Sequence, residues 1–422
     1  MLHCDPAGLS NANASEKMPL ALQSGTIIIF GSRNGGRMKL GLRAAIATVA
    51  LASITMTAET GANAQTATSY PIFKVDPDWP KEMPHGYFFG QIAGLTEDSH
   101  GNIWVISRPR SVIPQLDEPP QEASGVPAPS VVEFDASGKF LRGWGGPFMM
   151  SEAERAKFDW PVQEHGIAVD AQDRVWICGN GRDRNGKSGK DDNQCLQFTA
   201  DGKFLMQVGH SGQSKGSLDT ENFNHAAWPV YWPKTNELFI ADGYVNRRVI
   251  VLDADTGKFK RMWGAYGKAP DDSASKERTY DPVPAQFNLV HGLTISRDGT
   301  VYVADRNNNR VQAFTLDGKF LKEAFVAREI PMKGFGTVNS VALSADKDQR
   351  FIYICEGHQQ RVRVLDRQTL QEIPQAAFGH VGVLPGMFLG LHILITDAQG
   401  NVYTGDGRDG RVEKFVFKGL SR

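Results

Sequence analysis

His165, His291 and His392 each open a short apolar run and stand fourteen residues before the end of the next one, at Gly179, Asp305 and Asp406. A neutral imidazole binds a divalent metal near neutral pH, and three such ligands leave one coordination position for water or substrate. Convergent nitrogen donors of this kind suit Zn2+. Three histidines in one repeated register are therefore candidate metal ligands rather than three unrelated core residues. Just past the same anchor the chain places Arg108, Asn180, Tyr244, Arg306, His358 and Arg408. Arg108 and Arg306 are suited to clamp a carboxylate bidentately. Tyr244 is the candidate for proton transfer, because a nearby cation favours its phenolate and makes a phenol usable as a base.

These residues need a scaffold that repeats, and the sequence contains one. The stretch HGLTISRDGTVYVADRNNNRVQAFTLDGKFLKEAF, from His291 to Phe325, reads as four strands with turns at Asp298-Gly299 and Asp317-Gly318. Alternating apolar residues between Asp-Gly turns are what an antiparallel meander requires. Related stretches begin at His165, Glu237, Phe351 and His392, with another at AGLTEDSHGNIWVISRPR near the front. Six four-stranded units predict an all-β, six-bladed β-propeller. The last unit stops after three strands, so Tyr70–Val75 is expected to supply its outer strand and close the ring, hiding edges that would otherwise invite aggregation. The pattern resembles the NHL-repeat family.

Aligning the blades at the ends of their second strands makes Ser107, Gly179, Asp242, Asp305, Glu356 and Asp406 equivalent. Histidine then occupies the first strand of blades two, four and six, while the blades between carry Ala93, Trp228 and Asn339. Alternate blades of a six-fold ring lie roughly 120° apart. With the first strands lining the channel, the three imidazoles converge at one mouth, ringed by the residues that follow the second strands.

Longer segments at Glu118–Pro129, Gly181–Asp192 and Gly267–Ala285 read as loops, and Ser151–Lys157 as a helical turn or two. Cys178, Cys195 and Cys355 fall at positions that other blades fill with small or β-branched residues, so buried packing accounts for all three. A Cys178–Cys195 bridge between neighbouring strands stays open.

The chain has 422 residues, 44 Gly, 22 Pro and a formal net charge of −1, with a pI near 6.8. This gives no electrostatic reason for a nucleic-acid or anionic-membrane partner. From Met38 the sequence shows a basic start at Lys39 and Arg43, an apolar run over Ala44–Met56, and Ala62-Asn63-Ala64 ahead of Gln65. That is the layout of a secretory signal peptide, with a run too short to span a bilayer. The expected organisation is an extension ahead of the true start at Met38 over 1–37, a signal peptide over 38–64 and the propeller over 65–422. The expected location is periplasmic or secreted, with no transmembrane span once the signal is removed.

At ADGYVNRR (Ala241–Arg248), and at HGL and ADR in blade four, the chain resembles the peptidyl-α-hydroxyglycine α-amidating lyase family, whose members are NHL-type propellers with a catalytic zinc. The resemblance covers roughly residues 70–418. It implies His165, His291 and His392 as zinc ligands, Tyr244 and Arg108 as catalytic residues, and Arg108 and Arg306 as substrate-binding residues. It also implies cleavage of a carbinolamide to an amide and glyoxylate, with a small or peptide-derived α-hydroxy-amide as substrate. Three departures stand out. The family's acidic residue after the third histidine, associated with calcium, is Ile393 here, which argues against Ca2+; the family's methionine before that histidine is missing at Gly390-Leu391; and the cysteine of its DGYC motif is Val245. Two other readings compete: an exported NHL-propeller binding module with a protein partner, and a propeller lactonase or esterase. The latter's usual calcium site of Glu, Asn and Asp differs from a mouth of His, Arg and Tyr.

Overall fold

Short alternating segments closed by Asp-Gly turns can bury one face only by pairing with their neighbours, and they do so blade by blade. The computed structural model describes residues 69–112, 125–182 and 190–421. The expected extension and signal peptide lie outside the described residues, as do residues 118–124 and 183–189 of two expected loops. Six antiparallel sheets follow one another in chain order. Blade one holds Gln91–Glu97, Ile103–Arg108, Val131–Phe134 and Phe140–Trp144. Blade two holds Glu164–Val169, Val175–Gly179, Cys195–Phe198 and Phe204–Val208. Blade three holds Trp228–Trp232, Glu237–Asp242, Arg248–Asp253 and Phe259–Trp263. Blade four holds Val290–Ile295, Val301–Asp305, Arg310–Phe314 and Phe320–Phe325.

Blade five departs from the four-strand expectation. Ser340–Leu343, Phe351–Glu356 and Arg361–Asp366 form a three-stranded sheet. The segment beside it forms no continuous ladder and pairs with it at isolated bridges, Leu365–Glu372 and Val362–Phe378. Pro374, which has no N–H to give to a ladder, opens a 3-10 turn between them. Blade six consists of Leu391–Thr396, Val402–Asp406 and Val412–Leu420, with Pro71–Asp76 as its outer strand. In that last pairing Val75 lies opposite Phe415 and Asp76 opposite Lys414.

Blades are keyed to one another by aromatic side chains. Gly202 and Gly318, in the turns before the outer strands of blades two and four, have φ of +85° and +83°. They lie flat on Trp144 and Trp263 at the ends of the preceding blades, where an added Cβ would come within 2.7 and 2.6 Å of the indole. Trp79, just after the outer strand of blade six, packs in the same way under Gly138 of blade one. The first strands line an axial cavity of about 250 Å³ that includes Thr96, Val169, Val230, Thr294, Ala342 and Thr396, one from each blade. The expected helical turn is a short helix, Glu152–Arg155, capped by Ser151.

Cys178 and Cys195 correct the packing expectation. They face each other on neighbouring strands with Cα atoms 4.4 Å apart and form a disulfide. Cys355 is a free, buried thiol. No helix among the described residues is long and apolar enough to cross a membrane.

Candidate metal centre

Each histidine sits where the first strand slips by one residue against the second. The register shifts between Glu164 and Gly166, between Val290 and Gly292, and between Leu391 and Ile393. A bulge of this kind re-aims the extra side chain, here His165, His291 and His392. Three residues upstream of each, a carboxylate holds the incoming backbone. Asp192 accepts from the Val162 amide at 2.7 Å, Asp305 from Asn288 at 2.7 Å, and Asp406 from Leu389 at 2.8 Å. Two of these carboxylates, Asp305 and Asp406, are the anchor residues of the repeat. Blade two has Gly179 at that position, and Asp192 from a later loop takes over its task.

The blades between supply the orienting groups. Nδ1–H of His165 donates to the Ala227 carbonyl of blade three at 2.8 Å, and that of His291 to the Asn339 carbonyl of blade five at 2.6 Å. His392 donates to the Ile92 carbonyl of blade one at 3.1 Å. This pattern corrects one alignment. Trp228 pairs with Ala241 as Gly166 pairs with Cys178, so Ala227, not Trp228, is the blade-three counterpart of the histidines. The slip arises because the turn between Trp232 and Glu237 is one residue shorter than that between Val169 and Val175.

With Nδ1 protonated, all three Nε2 lone pairs point inward. The three ring centroids are 5.0 Å apart in every pairing. One ligand atom from each histidine lies within 4.8 Å of the others. Burial pushes His165 and His291 well below the ordinary imidazole range. His392 is pushed down to about 3, first by burial and then by the Arg108 and Arg306 charges. The imidazoles are therefore neutral at pH 7, the form that ligates metal.

The Tyr244 hydroxyl lies 2.9 Å from Nε2 of His165 and 3.0 Å from Nε2 of His291. It has a single proton to offer two lone pairs, so one of these contacts has no hydrogen bond to support it. A cation among the three nitrogens removes that conflict. The donor set thus fits a divalent metal.

A cleft of about 280 Å³ opens above, lined by Arg108, Tyr244, Arg306, Asn339 and His392 among others. His165 and His291 are fully buried. Arg108 donates to the Glu164 carbonyl at 2.7 Å and to Gln91 at 3.1 Å, and Arg306 to the Phe335 carbonyl at 2.6 Å. Neither has a carboxylate partner among the described residues, although Arg306 is only 8% exposed. Two other buried arginines are paired directly, Arg248 with Asp242 at 2.8 Å and Arg310 with Asp305 at 2.7 Å. A buried guanidinium without a counter-ion is costly, and an anionic ligand relieves that penalty.

The structure therefore gathers His165, His291, His392, Tyr244, Arg108 and Arg306 at one mouth. It adds Gln91, Phe335, Asn339 and Gln360 to the cleft. Asn339 was visible in the blade alignment but only as a spacer between histidines. Ile393 is fully buried, and its side chain fills the space that Gly405 leaves across the pair.

An NHL-repeat family model matches residues 287–314. NHL repeat-containing protein 3 of Mus musculus is 28% identical over 255 residues, which cover 58% of this chain and 58% of that protein. The peptidyl-glycine alpha-amidating monooxygenase of Mus musculus is 30% identical over 261 residues, covering 60% of this chain and 23% of the relative. The chain carries an NHL repeat on a six-bladed propeller and is similar over part of its length to amidating enzymes. A third relative is the probable peptidyl-alpha-hydroxyglycine alpha-amidating lyase pgal-1 of Caenorhabditis elegans, 26% identical over 155 residues, 36% of either chain. The propeller thus spans less than two thirds of the length of these curated relatives.

Proposed function

We propose that the propeller is a zinc-dependent lyase that cleaves the C–N bond of an α-hydroxyglycine-type carbinolamide, giving an amide and glyoxylate. One observation carries the reading: the Tyr244 hydroxyl stands 2.9 and 3.0 Å from two of three converging imidazole nitrogens, below a cleft with two guanidiniums that lack carboxylate partners. His165, His291 and His392 would hold Zn2+, which when bound supplies Lewis-acid polarisation of a hydroxyl oxygen. Arg108 and Arg306 bind the substrate carboxylate and set the hydroxyl toward Tyr244. Tyr244, as the phenolate that a nearby cation would favour, takes the hydroxyl proton. The C–O bond becomes C=O, the C–N electron pair leaves with nitrogen, and nitrogen takes from Tyr244 the proton that the hydroxyl gave up as the amide departs. The name of the Caenorhabditis elegans relative, a probable amidating lyase, agrees with this chemistry.

We propose further that the protein works outside the cytosol. A disulfide between Cys178 and Cys195 fits an oxidising compartment, in keeping with a signal peptide from Met38. The test is glyoxylate release from an N-acyl-α-hydroxyglycine by purified, zinc-loaded protein. Release that disappears with a chelator and returns with Zn2+ is the expected result. Zinc bound without any release rejects the proposed substrate.

A further inference from the structure

We infer that Asn339 reads the amide N–H of the substrate through a side-chain oxygen that the fold leaves unpartnered at the cleft. The inference rests on the carbinolamide reading, in which the scissile nitrogen carries one hydrogen.

Asn339 is 4% exposed and lines the cleft with Arg306, Tyr244 and His392. Of its backbone carbonyl and the two ends of its side-chain amide, two are already committed. Its backbone carbonyl accepts from Nδ1–H of His291 at 2.6 Å. Its Nδ2 donates at 2.9 Å to the carbonyl of Leu391, the residue before His392. A carbonyl can only accept, so this contact fixes which end of the side-chain amide is nitrogen. The remaining atom, Oδ1, is buried and has no hydrogen-bond partner among the described residues. Gly357 packs against the same amide, and a Cβ there would stand 2.9 Å from Oδ1, so the side chain is held in place from that side as well.

A buried amide oxygen without a donor is rare and unfavourable in a folded protein. Oδ1 has no surface open to solvent, so a small shift of the cleft wall as substrate binds brings a donor to it. The proposed substrate offers two. Its hydroxyl proton goes to Tyr244, and its carboxylate has no proton to give, which leaves the amide N–H for Asn339. Held there, the nitrogen keeps its original hydrogen while it receives the C–N electron pair and a second proton on leaving. The site then selects secondary amides and rejects their N-alkylated counterparts.

The test compares N-benzoyl-α-hydroxyglycine with its N-methyl analogue on the zinc-loaded protein, wild type and Asn339→Ala, with metal content measured alongside. Wild type is expected to favour the N–H substrate by roughly 10- to 100-fold in kcat/KM. Asn339→Ala is expected to bring the two within about threefold of each other by losing activity on the N–H substrate. Gly357→Ala, which drives a methyl into the same amide, gives a second route to that collapse if Asn339→Ala does not fold. Equal rates on both substrates in wild type overturn the inference and leave the lyase reading standing. A preference that persists in both variants also overturns it, because the methyl is then excluded elsewhere. No release from either substrate removes the lyase reading and this inference with it.

Discussion

Replacing Tyr244 by phenylalanine removes one oxygen and leaves a ring of nearly the same shape among His165 and His291, whose centroids lie 5.1 and 5.5 Å from that of the tyrosine. The packing is kept and the proton acceptor is gone. A positioned general base contributes about 10²–10⁴ in rate, or ~3–5.5 kcal/mol of barrier, so kcat in Tyr244→Phe is expected to fall by about that factor with KM changed little. The hydroxyl is not one of the three nitrogen ligands, so zinc binding is expected to survive. In the metal-free protein the hydroxyl gives its proton to one buried nitrogen, and its loss should destabilise that form by about 1–3 kcal/mol. Zinc satisfies the same nitrogen in the loaded form, so the increase in Tm on adding zinc should be larger in the variant than in wild type. Steady-state glyoxylate release and calorimetry with and without zinc read both effects. Activity within threefold of wild type removes Tyr244 from the mechanism.

Three further outcomes follow from the scaffold. Asp305→Asn removes the closer of Arg310's two carboxylate partners and leaves Glu323 at 3.4 Å, and is expected to lower unfolding free energy by about 1.5–3 kcal/mol in urea titration; an unchanged midpoint contradicts the anchoring role given to the pair. Reducing the Cys178–Cys195 bridge, which spans 17 residues, is expected to destabilise the protein by about 3 kcal/mol on the loop-entropy estimate, and an unchanged urea midpoint in the double serine variant speaks against it. Hydrogen bonds from Arg261, and then from Lys260 and Thr235, hold the Glu237 carboxyl down at about 2. Its contribution to stability is therefore complete above the ordinary glutamate range near 4.5 and is lost as pH falls toward 2. Glu237→Gln should flatten the acid limb of the stability profile in that window and nowhere else.

Much of the blade architecture was legible because turns and strands repeat with nearly constant spacing, so a residue in one blade has a numbered counterpart in the next. That spacing aligned His165, His291 and His392 and set Tyr244, Arg108 and Arg306 around the same mouth. It misplaced Trp228 because one shorter turn moves the frame by a residue without altering residue types. The bulges that turn the histidines inward had no sequence mark of their own. Cys178 and Cys195 occupy slots suited to any small or β-branched side chain, so packing and bridging look alike until the facing strands are in register. Asn339 escaped notice for another reason. Part of its work is done by a backbone carbonyl, which every residue carries, and the rest by an amide whose partner, the Leu391 carbonyl, lies 52 positions away.

The account stands on a metal held by three histidines. Metal content of the purified protein, measured by plasma mass spectrometry on wild type and on His291→Ala, tests it most directly. One zinc per chain in wild type, lost from a His291→Ala protein that keeps its β-sheet circular dichroism, is the predicted result. Wild-type protein that carries no zinc and takes none up from micromolar solution contradicts it.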